Sequence, residues 1–164
     1  MQLLHLQEHI SLMGRDIYLV ASHTGLVKVT TQKQTIPFCD ITNPAQTQHA
    51  AILSQAQKEL IEFCSQVRTT FTVPLDIRGT NFQKKVWAQL QQISYGTTIS
   101  YKELATRVGN PRAARAVGAA NGQNPLWIII PCHRVIQSDG SLGGYAGGNT
   151  LKEYLINLEK TKLL

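Results

Sequence analysis

Cysteine is scarce in this sequence and lacks the spacing that would give it a structural role. Three cysteines occur in 164 residues, with no CxxC pair and no cysteine–histidine pair at zinc-finger separation. We therefore expect reduced thiols, no disulfide framework, no bound metal and no cofactor. Cys39 and Cys64 have no chemically suggestive neighbours, so we interpret both as packing residues.

Long hydrophobic runs are also missing. Residues 1–16 carry Glu8 and Asp16 and lack a basic leader, so we expect neither a secretory signal nor a membrane span there. A hydrophobic content of 43% is still enough to build a core, in one ordinary domain or in two small ones. These features predict a globular protein of the cytoplasm with no membrane partner.

Acidic residues are too few to balance the basic ones in the second half of the chain. Residues 1–74 hold five basic and five acidic side chains, whereas residues 75–164 hold eleven basic and five acidic ones, a net charge of +6. A phosphate-binding surface needs such an excess, but a basic half can equally keep a protein soluble. Charge alone therefore leaves nucleic-acid binding open.

Residues 1–74 predict a small α/β domain. Two β-rich runs, at 16–22 and 26–30, flank a short loop that contains glycine, which is typical of a hairpin. Residues 47–66 then have apolar side chains at helical spacing, and residues 69–73 return to a strand-like pattern.

Residues 75–79 predict a linker, and residues 80–164 predict a second, mainly helical domain. Asn110 can cap a helix whose first turn contains Pro111, and a short helix that ends near Gly109 precedes it. Two short helices joined by such a turn form a helix-turn-helix pattern. Capping boxes, which predict helix starts, occur at Thr80 with Gln83, Ser100 with Glu103, and Thr150 with Glu153.

The second helix of this pattern is rich in alanine and contains Gly118. Small side chains let a backbone approach another surface closely, and that surface is either a nucleic-acid groove or another helix. Packing considerations alone favour the contact between helices.

The residues best suited to chemistry follow an apolar run, 126–130, that is bracketed by Pro125 and Pro131. We predict a buried strand or extended segment there, which delivers Cys132 and His133 to its end. A cysteine becomes a useful nucleophile when a base holds it as the thiolate. Neighbouring side chains on an extended segment point to opposite sides, so coupling between these two requires a turn or a bridging water.

A histidine base also needs a carboxylate to orient it, and Glu153 and Glu159 on the predicted last helix are the candidates. An isolated Cys-His dipeptide is more often chance than chemistry. The pair alone therefore does not establish a catalytic site.

The surrounding motifs are far more specific than the dipeptide. From about Phe82 to Glu159 the sequence closely resembles the O6-alkylguanine-DNA alkyltransferase family, whereas residues 1–74 match that family only in size and in α/β character. The motifs that carry the resemblance are RAARAVG at 112–118, Asn124-Pro125, IPCHRV at 130–135 and GYAGG at 144–148.

The resemblance implies a fold and an activity. The fold would be a small ribonuclease-H-like sheet with a helix, followed by a mainly helical domain with a helix-turn-helix of winged-helix type. The activity would be DNA repair by direct damage reversal, in which O6-alkylguanine is flipped out of the duplex and its alkyl group moves irreversibly to Cys132. O4-alkylthymine is a second candidate substrate. The protein would act once, as a monomer, from the minor groove of double-stranded DNA.

The resemblance also implies roles for individual residues. Cys132 would accept the alkyl group, His133 would activate it through a water, and Glu159 would hold the imidazole in the right tautomer. Tyr101 would donate a proton or hydrogen bond to the leaving guanine, and Asn124 would brace the segment that holds Cys132.

A DNA-binding surface and a base pocket complete the implied site. Arg115 would enter the base stack in place of the extruded nucleotide. Some family members carry serine where this chain has Ala146, and because the contact there is made by the backbone, the change should be tolerated. The implied DNA-binding residues are Arg115, Ala113, Ala114, Ala116, Gly118 and Arg134, and the implied pocket residues are Tyr145, Ala146, Val135 and Gly147.

Three other classes of protein share some of these features. A papain-like cysteine hydrolase would have different residues around its nucleophile. A helix-turn-helix regulator would not need Cys132 beside a glycine-flanked pocket. An alkyltransferase-like protein that binds lesions without repairing them would lack the acceptor cysteine, so the presence of Cys132 favours chemistry.

Overall fold

The computed structural model describes residues 5–36 and 47–161 of the chain. The chain divides into two compact units, Met1–Arg78 and Gly79–Leu164, and the division falls inside the predicted linker. The first unit contains a sheet and a helix, and the second is mainly helical, which confirms the coarse α/β class.

Over residues 5–36 and 47–78, the first unit is an antiparallel sheet with one helix packed against it. The strands lie in the order β1-β2-β3, and a turn at Met13 and Gly14, with φ of 53° and 68°, joins the first two. The structure confirms the predicted hairpin and helix, whereas β1 has no counterpart among the predicted elements. The elements are β1 (Leu6–Leu12), β2 (Arg15–Ala21), β3 (Leu26–Thr30) and α1 (Thr47–Cys64).

Residues 69–73 do not form the predicted strand. The backbone N–H groups of Thr72 and Val73 instead donate to the buried carboxylate of Glu59 on α1, at 2.9 and 3.1 Å. A side chain has thus taken the place of a neighbouring strand as hydrogen-bond partner.

In its described part, the second unit combines helices with one short parallel pair of strands. The capping box at Thr80 and Gln83 is confirmed, because both of its hydrogen bonds are present. The elements are α2 (Asn81–Leu90), β4 (Ile99–Ser100), α3 (Tyr101–Arg107), α4 (Ala114–Gly122), a 3-10 turn (Cys132–Arg134), β5 (Val135–Ile136) and α5 (Asn149–Lys160). Over residues 5–36 and 47–161, no helix is long and apolar enough to cross a membrane, and no three histidine, cysteine or acidic side chains could together hold a metal ion.

Helix α4 begins later than predicted. The Asn110 carbonyl accepts the N–H of Ala113 at 2.9 Å, which closes a turn around Pro111 before the helix starts at Ala114. The capping and first-turn roles predicted for Asn110 and Pro111 are therefore wrong, because these residues form a separate turn.

Trp87 ties helix α2 to helix α4. Its side chain is 2% exposed, and its Nε1–H donates to the carbonyl oxygen of Ala120 at 2.8 Å. The ring also lies so close to Gly79 that an added Cβ would be 2.7 Å from it. Trp87 therefore fixes the position of α4, one wall of the site described below.

We predict that Trp87→Phe destabilises the second unit. The change removes the hydrogen bond to Ala120 and should lower the free energy of unfolding by about 1–3 kcal/mol. Urea denaturation followed by circular dichroism measures the loss. Phe82→Leu is the matched control, because Phe82 lies on the same helix and is 37% exposed. Equal losses in the two variants would contradict the prediction.

Candidate functional site

The segment that precedes Cys132 is a series of tight turns rather than the predicted strand or extended segment. The N–H of Ile130 donates to the carbonyl oxygen of Leu126 at 2.8 Å, and Ile128 has a left-handed φ of 72°. Asn124 holds both ends: its Oδ1 accepts the N–H of Leu126 at 3.0 Å, and its Nδ2 donates to the Ile130 carbonyl at 2.7 Å. The run is buried as predicted, but the Asn124 amide supplies partners that a neighbouring strand would otherwise provide.

Cys132 opens the 3-10 turn and is 2% exposed. Burial raises the pKa of its thiol to about 11, although Asn124, Tyr145 and Lys152 act in the opposite direction. Cys132 is therefore a protonated thiol at neutral pH and needs a base to become a nucleophile.

His133 lies directly beside Cys132 in sequence and is fully buried. Its Nε2 atom is 2.6 Å from Oε1 of Glu159, and because a carboxylate can only accept, Nε2 carries the hydrogen. Nδ1 is then an acceptor, and it is buried with no hydrogen-bond partner among the described residues. Burial lowers the pKa of His133, although Glu159 opposes the effect, so a neutral imidazole is available as a base.

The carboxylate of Glu159, on α5, accepts several hydrogen bonds. It accepts from His133, from Nε of Arg134 at 2.9 Å and from the N–H of Gly96 at 2.9 Å. Burial alone would raise the pKa of Glu159, but the hydrogen bonds from His133 and Arg134 outweigh it and leave the pKa lowered. Of the two candidate carboxylates, Glu159 reaches the histidine and Glu153 is exposed.

Arg134 lies inside the protein rather than on a DNA-facing surface. It is 7% exposed, and its guanidinium donates to Glu159 and, through Nη1, to the carbonyl oxygen of Ile93 at 2.6 Å. The group also lies over the Tyr95 ring, 5.7 Å from its centroid. These internal bonds engage three of the five N–H donors of the guanidinium, and the group is buried, so the structure lends no support to the predicted DNA contact of Arg134.

A cavity of about 620 Å³ lies within the second unit. Its walls come from α3, from α4 and from the glycine-rich loop before α5. The predicted residues that line it are Tyr101, Ala114, Arg115, Gly118, Tyr145 and Ala146, and the lining residues that were not predicted are Gly122, Gln137 and Gly144. Gly122 could have been anticipated, because it follows Gly118 by one helical turn.

The remaining predicted residues are outside this lining. Ala113 immediately precedes α4, Ala116 is exposed on it, and Val135 is buried on β5. Gly147 packs so tightly against Leu151 that an added Cβ would lie 2.5 Å from the leucine side chain. Its role in the structure is therefore to let the loop close onto α5.

Two tyrosines connect the cavity with the thiol. Burial raises the pKa of Tyr101 and of Tyr145, the latter well above its usual value, and in both cases the nearby Cys132 adds to the effect. The Tyr101 ring packs against Gly118, where an added Cβ would be 3.6 Å from it. The Tyr145 hydroxyl is buried with no conventional hydrogen-bond partner in the described part of the chain.

Lys152 is a member of the site that was not predicted. It is 0% exposed, its Nζ donates to the carbonyl oxygen of Leu142, and it lies 5.7 Å from the centroid of the Tyr101 ring. Burial lowers its pKa to about 8, and Cys132 acts in the opposite direction. Lys152 precedes Glu159 by about two helical turns, so their shared helix face was the available signal.

Comparisons with known proteins identify relatives of this chain. Residues 81–161 match the family model described as 6-O-methylguanine DNA methyltransferase, DNA binding domain. A methylated-DNA–protein-cysteine methyltransferase from Methanosarcina barkeri is 51% identical over 109 residues, which cover 66% of this chain and 69% of that protein. The crystal structure of Mycobacterium tuberculosis O6-methylguanine methyltransferase has a TM-score of 0.82 and 38% identity, covering 98% of this chain and 96% of that one. A structure of Mycobacterium tuberculosis OGT in complex with DNA has a TM-score of 0.78 and 38% identity, covering 95% and 92%.

The buried Cys132 is followed directly by the buried His133, which is hydrogen-bonded to the buried carboxylate of Glu159. These residues define a protein with a buried cysteine–histidine–glutamate cluster. The chain belongs to the O6-methylguanine-DNA methyltransferase family, as the identity and coverage of its relatives show. The predicted family is thus confirmed.

We predict that Glu159→Gln strongly destabilises the protein at neutral pH, by about 3–5 kcal/mol, because it leaves the buried Arg134 without its charge partner. Since the pKa of Glu159 is lowered in the folded protein, its contribution is complete above the ordinary value of 4.5 and is lost as the pH falls further.

Urea unfolding at pH 7 and at pH 3 should therefore show a difference between wild type and variant that shrinks in acid. The exposed Glu153→Gln on the same helix is the control, with an expected change of about 0.5 kcal/mol or less. A difference that is the same at both pH values would argue against the buried ionised carboxylate.

Proposed function

We propose that this protein repairs DNA directly, by flipping O6-alkylguanine out of the duplex and transferring the alkyl group to Cys132, with O4-alkylthymine as a second candidate substrate. As a member of its family the protein is a methylated-DNA–protein-cysteine methyltransferase, and DNA with alkylated guanine is its partner. The observation that carries the assignment of Cys132 is the environment of its thiol. It is buried beside the His133–Glu159 pair and beside tyrosines that line the cavity.

The reaction begins with removal of the thiol proton. His133 accepts it at Nδ1 through a bridging water, which is consistent with a buried Nδ1 that has no protein partner in the described residues. Glu159 stabilises the imidazolium that forms, as the carboxylate does in other nucleophile-base-acid arrangements. Arg134 assists indirectly, because its hydrogen bonds favour the ionised form of Glu159.

The thiolate then attacks the alkyl carbon. A carbon–sulfur bond forms as the bond between that carbon and guanine O6 breaks, and the electron pair remains on the guanine. Tyr101 delivers its hydroxyl proton to the guanine ring as this charge develops. The proton held by His133 then returns Tyr101 to its protonated form. In the net reaction, guanine gains the proton that the Cys132 thiol lost, and Cys132 gains the alkyl group. Lys152 stabilises the negative charge that appears on Cys132 and Tyr101, since its buried ammonium group lies beside both.

The product explains why the protein acts once. Attack on an alkyl carbon gives a thioether, which has no carbonyl group for water to attack. Cys132 is therefore not regenerated, and each molecule repairs one lesion.

Access of the base to Cys132 requires base flipping, because guanine O6 lies at the pairing edge inside the duplex. The cavity has the volume of an ordinary small-molecule pocket, and Tyr145, Ala146 and Val135 are placed in or beside it. Arg115 is exposed at the cavity, where it would occupy the space that the flipped nucleotide leaves. The small residues Ala113, Ala114, Ala116 and Gly118 allow α4 to enter the minor groove.

The finer fold fits the same function. Helices α3 and α4, joined through Gly109 with a φ of 88°, form the helix-turn-helix of a winged-helix-like domain. The three strands and α1 of the first unit form the small ribonuclease-H-like domain. We place the protein in the cytoplasm, as a monomer with access to chromosomal DNA.

The proposal is tested with a duplex that carries a radiolabelled methyl group on guanine O6. Wild type should take up one label per protein molecule and then stop, whereas Cys132→Ala should take up none while still binding the duplex. Cys64→Ala is the matched control and should transfer normally, because Cys64 lies on α1 in the other unit. Catalytic turnover, or transfer by Cys132→Ala, would refute the assignment.

A second prediction concerns Arg115. Arg115→Ala should slow repair of duplex DNA by more than about tenfold, because flipping costs a few kcal/mol that the arginine offsets. Reaction with a free O6-alkylguanine base needs no flipping and should change little. Arg112→Ala, an exposed arginine outside the cavity lining, controls for loss of charge. Equal losses with duplex and free base would remove the flipping role.

A further inference from the structure

We infer that Gln137 holds the extruded nucleotide by its backbone, through a hydrogen bond from its side-chain amide to a phosphate oxygen, while the base occupies the cavity. The inference rests on the proposed function, because it concerns the same DNA substrate. Gln137 directly follows β5 and was not among the residues that the sequence predicted for the site. The cavity lining contains two residues that combine an exposed position with a polar side chain, Arg115 and Gln137.

The position of Cys132 determines which end of a flipped nucleotide faces Gln137. The acceptor thiol is 2% exposed, so guanine O6 must point towards the protein interior when its alkyl group reaches the sulfur. O6 is attached to the six-membered ring of guanine, whereas the sugar is attached to N9 of the five-membered ring. The sugar and its phosphates are therefore at the open side of the cavity, where Gln137 is exposed.

The backbone that carries Gln137 is held in a closed turn. Its N–H donates to the carbonyl oxygen of Ser141 at 2.8 Å, and its carbonyl oxygen accepts the N–H of Gly140 at 3.1 Å. Asp139 closes the turn further, because its Oδ1 accepts the N–H of Ser141 at 2.9 Å and the hydroxyl of Ser141 at 2.7 Å. The side chain of Gln137 therefore extends from a fixed backbone position, on the segment that also carries Cys132.

The side-chain amide of Gln137 lies near the Tyr101 hydroxyl. A Cβ added at Gly143, which has a left-handed φ of 68°, would lie 3.2 Å from Nε2 of Gln137 and 3.3 Å from the Tyr101 hydroxyl. Both groups therefore approach the same glycine, whose missing side chain leaves room for them. In the described part of the chain no protein group forms a hydrogen bond with this amide, so its N–H groups are available to a ligand.

The chemistry of the DNA backbone matches these donors. Within a strand the sugar hydroxyls are esterified, so the backbone offers only hydrogen-bond acceptors, and the charged phosphate oxygens are the strongest of them. Glutamine is one of the residues that proteins use to contact phosphate, and its amide donates without carrying a charge. Because a neutral group displaces no counterions, this contact should depend little on salt. Gln137 thus retains the nucleotide in the cavity, while Arg115 fills the space that the nucleotide has left.

The test compares three forms of methyl-labelled O6-methylguanine: the free base, a short single strand and a duplex. Gln137→Ala should lower the rate of methyl transfer from either oligonucleotide, relative to the rate from the free base, by about fivefold to tenfold, the value of one ordinary hydrogen bond. The loss should be equal for single strand and duplex, because both have the phosphates that the free base lacks. Arg115→Ala should differ, with a larger loss for the duplex than for the single strand.

Gln137→Glu tests whether the partner is a phosphate. The carboxylate has a similar shape but no donor, and its charge repels a phosphate. Its loss with the oligonucleotides should exceed that of Gln137→Ala at about 50 mM salt and shrink at about 500 mM, where screening is stronger, whereas the loss in Gln137→Ala should be the same at both. Gln92→Glu is the matched control: Gln92 is an exposed glutamine of the same unit outside the cavity lining, and the relative rate should change by less than about twofold.

Each outcome decides a question. Unchanged relative rates in Gln137→Ala, or a loss in Gln137→Glu that is independent of salt, would overturn the contact with phosphate. A loss confined to the duplex would also overturn it, because Gln137 would then act on duplex opening rather than on the extruded nucleotide. Absence of methyl transfer by wild type would instead overturn the proposed function.

Discussion

The buried carboxylate of Glu159 joins parts of the second unit that lie far apart in the sequence. From helix α5 it accepts hydrogen bonds from Gly96, which precedes β4, and from His133 and Arg134 on the turn that begins at Cys132. An ionised group is stable in such a place only because donors surround it. The same charge fixes the tautomer of His133, so that Nδ1 is the acceptor that the proposed reaction requires. On that proposal, the stability of the unit and the reactivity of its cysteine depend on one group.

Local sequence patterns were sufficient to predict much of the fold. They did not predict the two segments whose backbone is hydrogen-bonded to a side chain instead of to a neighbouring strand. The capping box at Thr80 and the helix over α1 are local signals, and both are found. Residues 69–73 and 126–130 have the composition of strands, but Glu59 and Asn124 supply their hydrogen bonds. Periodicity in a short segment does not contain this information, because the partner lies elsewhere in the chain.

The site likewise combines features that the local sequence predicts with features that depend on residues elsewhere in the chain. The motif around Cys132 predicts the nucleophile and its neighbours, and the spacing on the last helix leaves two carboxylates, of which the structure brings Glu159 to His133. The basic residues were harder to interpret, because charge is visible in a sequence and burial is not. The resemblance implies a DNA contact for Arg134, whose guanidinium is internal, and no local pattern marks Lys152, which lies beside Tyr101.

Burial of Cys132 has a further consequence for a protein that is consumed by its own reaction. Because Cys132 can react only once, any other electrophile that modifies it inactivates that protein molecule before it has repaired a lesion. A thiol that is 2% exposed, with its pKa raised to about 11, is poorly reactive towards oxidants and stray alkylating agents. Burial of the thiol thus limits side reactions, so that Cys132 remains available for alkyl transfer from a base that enters the cavity.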